Sequence, residues 1–294
     1  MEHQLWKAIL VVLKQILKAR RKSSRGYSCE DIVRVWFWAV VHDRPVSWAT
    51  QKANWPIYER RRPLPSSSTM SRRLRSQEVQ DVILEIERQV LCSPGDRPLV
   101  WMIDGKPLSI GNCSKDRQAG YGRAARGKAK GYKLHVIRGG DNSVAAWRVA
   151  PLNVDERVMA RRLVRSARVQ GYLVADSGYD FNPLHEVCAE VGELQLVVRP
   201  RGGYGLPKRR KRQTAGRLRS IELLEHPEPH FGRQLLRQRD DIERVFGNLT
   251  SWGGGLTHLP PWVRTHRRVH RWVQAKLILN ALKRHGLPTT YDTN

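Results

Sequence analysis

Two apolar runs that each end in a carboxylate constrain this chain most. Pro98-Leu99-Val100-Trp101-Met102-Ile103-Asp104 leads into Gly105, and Leu173-Val174-Ala175-Asp176 breaks at Ser177-Gly178. Short apolar runs with turn residues at their exits read as buried strands, and a sheet that holds both as neighbours delivers two acids to one edge. One strand-end Asp is ordinarily a turn former or a helix cap. Two of them, with a third carboxylate downstream in Arg239-Asp240-Asp241-Ile242-Glu243-Arg244-Val245-Phe246-Gly247, suggest a metal site that works on phosphate.

The charge balance narrows the partner. The 294 residues include 53 Lys and Arg against 27 Asp and Glu, a net charge of +26, and 39 of the cations are Arg. Such a chain repels itself until it meets a polyanion, and the planar guanidinium suits bidentate phosphate contact. Nucleic acid is the expected partner. A membrane surface is the rival polyanion, but no run approaches the ~18 apolar residues of a spanning helix. The run Ala8 to Leu13 is short and followed by Lys14, Lys18 and Arg20, so it reads as an amphipathic helix rather than a signal peptide. Cys29, Cys92, Cys113 and Cys188 are far apart and form no Cys-x-x-Cys pair, which supports neither a zinc ribbon nor a disulfide framework. A reducing cytoplasm is the expected compartment.

Residues 1–92 read as helical. Ser28 and Asp31 form a capping-box pattern ahead of Ile32, Val33, Trp36, Val40 and Val41 at helical spacing. Ser66 to Arg75 has a small-residue start running into arginines, so Ser71, Arg72, Arg73 and Arg75 are candidate DNA contacts, a solvated basic helix being the competing reading. Ser93 to Pro98 marks a boundary. Beyond it the pattern becomes strands at 99–104, 131–137, 143–150, 173–176 and 194–198, with helices over 155–169 and 183–191, which argues for an α/β domain with a mixed sheet over 93–294. Two segments read as mobile polycationic loops that clamp a nucleic-acid backbone: Lys115 to Lys133, with seven Lys or Arg and one Asp, and Arg199 to Arg219, with nine Lys or Arg and no acid. Helices resume from His230.

Mg²⁺ and Mn²⁺ prefer hard oxygen ligands, so phosphodiester chemistry needs carboxylates converging on one point. Asp104, Asp176 and Glu243 meet that demand. His135 and His230 read as core or capping groups rather than ligands.

The blocks Ile103-Asp104-Gly105, Gly131-Tyr132-Lys133-Leu134-His135, Ala175-Asp176-Ser177-Gly178-Tyr179 and Arg239 to Gly247 resemble, in order, those of the bacterial insertion-sequence transposases with a DDE catalytic domain. The resemblance spans roughly residues 95 to 283. It implies a ribonuclease H-like mixed sheet with flanking helices, preceded by an all-α, helix-turn-helix-like DNA-binding domain over 1–92. It also implies Asp104, Asp176 and Glu243 as a triad holding Mg²⁺, with Mn²⁺ able to substitute. The reaction it implies is hydrolysis at the element's end followed by attack of the 3′-hydroxyl on target DNA. Lys133, Arg239 and Arg244 become candidate DNA contacts. The partners implied are the terminal inverted repeats and target DNA, with a homodimer or larger assembly joining two ends beside the bacterial nucleoid. The family's Tyr-Arg-Glu-Lys signature is matched at Arg239 and Glu243, whereas Leu236 and Thr250 stand where Tyr and Lys are expected. A structure-specific nuclease of the same fold and a catalytically retired transposase that only binds DNA are the alternatives.

Overall fold

The computed structural model describes residues 2–18, 26–91, 98–111, 114–124, 127–140, 143–201, 213–226, 230–239, 247, 256 and 258–284. Backbone contacts divide the chain into two compact units, Met1–Cys92 with Ser251–Gly255 and Arg271–Asn294, and Ser93–Thr250 with Leu256–His270. The last helix, His266–Arg284, therefore contributes its second part to the first unit.

The first unit is helical: α1 (Glu2–Lys18), α2 (Cys29–Val41), the short α3 (Val46–Ala49), α4 (Ser67–Arg73) and α5 (Gln77–Leu91). The Ser28 hydroxyl accepts from the Asp31 amide at 3.2 Å while the Asp31 carboxylate accepts from the Ser28 amide at 3.0 Å, the reciprocal cap that starts α2. The α5 stripe Val79, Val82, Ile83, Ile86 and Val90 is buried, as its spacing requires. An aromatic cluster locks α1 and α2 to the following segment. The Trp6 and Trp38 rings meet edge to face at 5.0 Å, and Trp38 stacks on Trp55 at 4.8 Å.

The last helix (α10 in chain order) inserts Lys276 into this unit. Its ammonium is fully buried, donates to Asp43 at 2.6 Å and to the Val40 carbonyl at 3.1 Å, and lies 5.3 Å from the centre of the Trp272 ring. Burial lowers its pKa and the Asp43 carboxylate partly restores it. A buried cation is tolerated only while its partner stays.

The second unit holds the sheet. Its strands are β1 (Val100–Ser109), β2 (Gly120–Ala124), β3 (Gly127–Gly139), β4 (Val144–Pro151), β5 (Gly171–Ala175) and β6 (Leu194–Val198). The order is β2-β3-β1-β5-β6, with β4 also paired to β3, farther along the edge that β2 occupies. β1 is antiparallel to β3 and parallel to β5, so the sheet is mixed. The crossovers are α6 (Glu156–Ala167) and α7 (Asn182–Glu190), followed by α8 (Ala215–Glu225) and α9 (Phe231–Arg237). Alternate residues of the central strands, Trp101, Ile103, Leu173, Ala175, Leu196 and Val198, bury against Ala160, Leu163 and Val164 of α6 and Leu184 and Val187 of α7. This is the ribonuclease H-like α/β arrangement, with a helical region ahead of it.

Three expectations from the sequence need correction. β1 does not stop at Asp104; β3 pairs with it continuously from Trp101↔Gly139 to Ser109↔Gly131, and Gly105 lies within the strand. Much of Lys115 to Lys133 is not a loop, because Gly120–Ala124 and the start of β3 form a two-stranded ribbon. The end of the second basic segment is not loop either: Thr214 caps α8, which carries Arg217 and Arg219. Residues 202–212 lie outside the described residues. Among the described residues no helix is long and apolar enough to cross a membrane.

Asp43→Asn, which keeps a residue tolerant of the positive φ there (49°) but removes the charge, is expected to cost about 1–3 kcal/mol. Lys276→Met, which removes the buried charge altogether, is expected to stay within about 1.5 kcal/mol of the parent. Urea unfolding of both variants checks the ordering.

Candidate active site

The register of β1 and β5 builds the site. Their pairing runs Val100↔Tyr172, Trp101↔Leu173, Met102↔Val174, and Asp104 and Asp176 each lie two residues beyond the last pair. Side chains alternate across a strand, so both acids follow Met102 and Val174 onto one side of the sheet, opposite the face packed by α6 and α7. Each carboxylate has one oxygen tied down locally. Asp104 Oδ1 accepts from the Gly105 amide at 2.7 Å, and Asp176 Oδ1 accepts from the Gly178 amide at 2.8 Å, capping the 3₁₀ turn Ser177–Tyr179.

Burial pushes the Asp104 carboxyl up to about 6; the Gly105 amide opposes this, Asp176 and Glu156 add to it, and Arg239 opposes it. A carboxyl raised by burial and by a neighbouring acid marks a place where positive charge is favourable. Tyr179 lies beside them. Its hydroxyl is buried with no hydrogen-bond partner among the described residues, and burial, then the charges of Asp104, Glu156 and Asp176, hold its pKa far above the usual phenol. Burial likewise lowers Lys106, which Asp104 partly restores.

Glu156 and Tyr179 were not singled out by sequence reasoning. Tyr179 sits in the quoted Asp-Ser-Gly-Tyr block, but nothing local says that its ring turns inward. Glu156 follows the Asp155 cap at the start of α6 and looks like an ordinary first-turn acid. Its ion pair with Lys133 on β3 exists only in three dimensions.

The other predicted residues are dispersed. Lys133 is largely buried and engaged by Glu156. Arg239, just past α9, is near enough to act on Asp104 electrostatically. Glu243 and Arg244 lie outside the described residues, as does Thr250. Leu236 is buried on α9. In the helical unit Ser71, Arg72 and Arg75 are exposed, while Arg73 reaches Glu78 at 3.2 Å and the Tyr27 carbonyl at 3.4 Å. His135 is buried behind Gly105, and burial, then Lys133, lowers its pKa to about 4, so it is neutral.

The model of the family described as "Transposase DDE domain" matches residues 96–280, more than half of the chain. The chain belongs to the DDE transposase family. No protein of curated function matches it.

The donor set fits the hard divalent ion that this family uses. Asp104 and Asp176 would hold such an ion: they stand at matching positions of adjacent strands, and a cation would offset the burial and the Asp176 charge that push the Asp104 carboxyl up. Among the described residues no three His, Cys, Asp or Glu side chains gather closely enough to enclose an ion. Glu243, the third carboxylate expected from the sequence, lies outside the described residues.

The turn after Asp176 is held from behind by Asp180. Its carboxylate accepts from Arg217 Nε at 2.7 Å and Arg217 Nη2 at 2.6 Å, and from the Arg201 amide at 2.7 Å. Burial alone would raise this carboxyl, but the guanidinium and the amide outweigh it and hold it well below the usual carboxylate range. This forked pair ties the turn to α8.

Two measurements probe this geometry. In the metal-free transposase, Asp176→Asn is expected to lower the Asp104 pKa while leaving it above the ordinary range, since burial is the larger cause; carboxyl ¹³C NMR reads it, and an unmoved value means that the two acids do not interact. Because the folded pKa of Asp180 is depressed, its stabilisation is complete above the unfolded pKa of about 4 and fades as pH falls below it. Asp180→Asn is therefore expected to cost about 3 kcal/mol at pH 7 and progressively less below about pH 4 in denaturant titrations.

Proposed function

We propose that this transposase cuts the ends of an insertion element and joins the freed end to target DNA, with Asp104, Asp176 and Glu243 as its catalytic carboxylates. The observation that carries the reading is the paired register that sets Asp104 and Asp176 on one side of adjacent parallel strands, where they interact electrostatically. Glu243 is assigned to the same site from the sequence, where it follows four residues after Arg239, the cation that acts on Asp104. Bound Mg²⁺, for which Mn²⁺ substitutes, supplies charge neutralisation at the scissile phosphate and activation of the attacking oxygen.

The balance of the reaction is simple. Water adds to phosphorus at the element's end as the 3′ oxygen leaves, yielding a 3′-hydroxyl and a 5′-phosphate. That hydroxyl then displaces a 3′ oxygen at a target phosphodiester, so one bond forms for each one broken. Asp104 and Asp176 would hold the cation, which would supply neutralisation of the reacting phosphate's charge. Arg239 and Arg244 are cast as phosphate contacts, and Lys133 becomes one if the incoming backbone competes for its pairing with Glu156. Ser71, Arg72, Arg73 and Arg75 are assigned to the terminal inverted repeats, with the 1–92 region as the DNA-binding domain and 93–294 as the catalytic one. Joining two ends calls for a dimer or larger assembly, working in the bacterial cytoplasm at the nucleoid.

A second reading has one observation in its favour. Where the family signature places Tyr, Leu236 is buried on α9 and offers no polar group to a nucleotide. A transposase retired from cleavage and kept for DNA binding is compatible with that loss.

Cleavage of a labelled duplex bearing the element's end, in Mg²⁺ or Mn²⁺, separates the two. The cutting enzyme yields a metal-dependent 3′-hydroxyl that disappears in Asp176→Ala while DNA binding persists. If the parent and the variant bind alike and neither cuts a preformed pair of ends, the retired form is the correct one.

A further inference from the structure

The β2–β3 ribbon has two chemically opposite sides. Its cross-strand pairs are Gly120↔Gly131, Tyr121↔Lys130, Gly122↔Ala129, Arg123↔Lys128 and Ala124↔Gly127. Residues directly opposite in an antiparallel pair share a side. One side therefore carries only Gly and Ala, and the other carries Tyr121, Arg123, Lys128 and Lys130.

The small side is seated on the chain that leaves β4. A Cβ at Gly122 would collide with the Leu152 carbonyl, and one at Gly120 with Asn153. That contact fixes which way the other side faces. On the cationic side Tyr121 is 60% exposed, with the Lys130 ammonium 5.9 Å from its ring centre and donating to the Ser114 carbonyl at 3.2 Å. Arg123 and Lys128 are exposed and have no acidic partner among the described residues, although they stand directly across from each other. Like charges so placed weaken a ribbon. A chain with 27 acids could have put one there, and it has not.

The geometry points to this side of the ribbon as a contact for the phosphate backbone of duplex DNA, with Arg123 and Lys128 as the phosphate ligands and Tyr121 with Lys130 as the platform beneath them. The inference rests on DNA being the substrate. Register also bounds where the contact falls. Lys128 and Lys130 share strand parity with Val136, the partner of Asp104, so they alternate onto the acid-bearing side of the sheet. From Val136 to Lys128 the strand extends about 27 Å at about 3.4 Å per residue. At about 3.4 Å per base step, the ribbon reaches phosphates no farther than about eight base pairs from the scissile bond.

The test uses the full chain, a duplex of about 30 base pairs carrying the element's end, and a salt titration of binding. The double variant Arg123→Gln/Lys128→Gln is expected to lower the slope of log affinity against log salt by about 1.8, the value for two lost phosphate contacts. It is also expected to lose backbone protection within about eight base pairs of the cut. Lys128→Glu supplies a readout that a purely structural role would not give: a cross-strand ion pair with Arg123 raises the thermal midpoint while DNA affinity falls. An unchanged slope in the double variant overturns the ribbon contact alone. So does an equal loss in the control Arg162→Gln/Arg168→Gln, whose exposed cations lie on α6 and just past it. Absence of salt-dependent binding by the parent overturns the DNA substrate and the ribbon contact together.

Discussion

Two carboxylates held at matching positions of neighbouring parallel strands are the constraint that the rest of the second unit serves. Bringing Asp104 next to Asp176 in a half-buried position costs free energy, as the raised pKa of Asp104 records. The backbone absorbs part of that cost, since the Gly105 and Gly178 amides each point at one of the acids. The remainder is carried by packing on the far side of the same strands. There Trp101, Ile103, Leu173 and Ala175 are buried against α6 and α7, so the register cannot slip without exposing them. A one-residue shift would turn an acid into the core.

Within each unit, charge is arranged in pairs that leave a cationic surplus. Asp180 is committed to Arg217, Glu156 to Lys133, Asp43 to Lys276 and Glu59 to Arg34. These pairs tie the turn after β5 to α8, the start of α6 to β3, the last helix to the residues just past α2, and the short turn Ile57–Glu59 to α2. With 27 acids among 53 cations, internal pairing leaves many Arg and Lys side chains to solvent or to a polyanion. The exposed Arg and Lys side chains of α4 and of the ribbon are part of that surplus.

Burial also makes some chemistry inert. His135 is neutral in the core, and burial pushes the Cys188 thiol up to about 12, so neither is a reactive group at ordinary pH. Tyr179 is held as a phenol by the same effect. The turn that carries Asp176 therefore uses its aromatic neighbour as a wall rather than as an acid.

Periodicity, capping residues and composition are local properties, and they made legible the two acid-bearing strands, the capped helices of the first 92 residues and the polyanion-seeking charge. The order of four short blocks was enough to bring the family into view. Only the tertiary structure decided that β1 continues through Gly105 to Ser109, since a strand's length is set by its partner β3 and not by its own residues. The same holds for the basic stretch that looked like a loop: its glycines signalled turns, yet alternate Gly and Ala let β2 and β3 lie on Leu152 and Asn153. Glu156 beside the acids, the Asp180–Arg217 clasp and the return of the last helix to the first unit join residues far apart in the chain. No local pattern encodes such contacts; they exist because burying apolar faces brings those segments together, and the charges then find their partners.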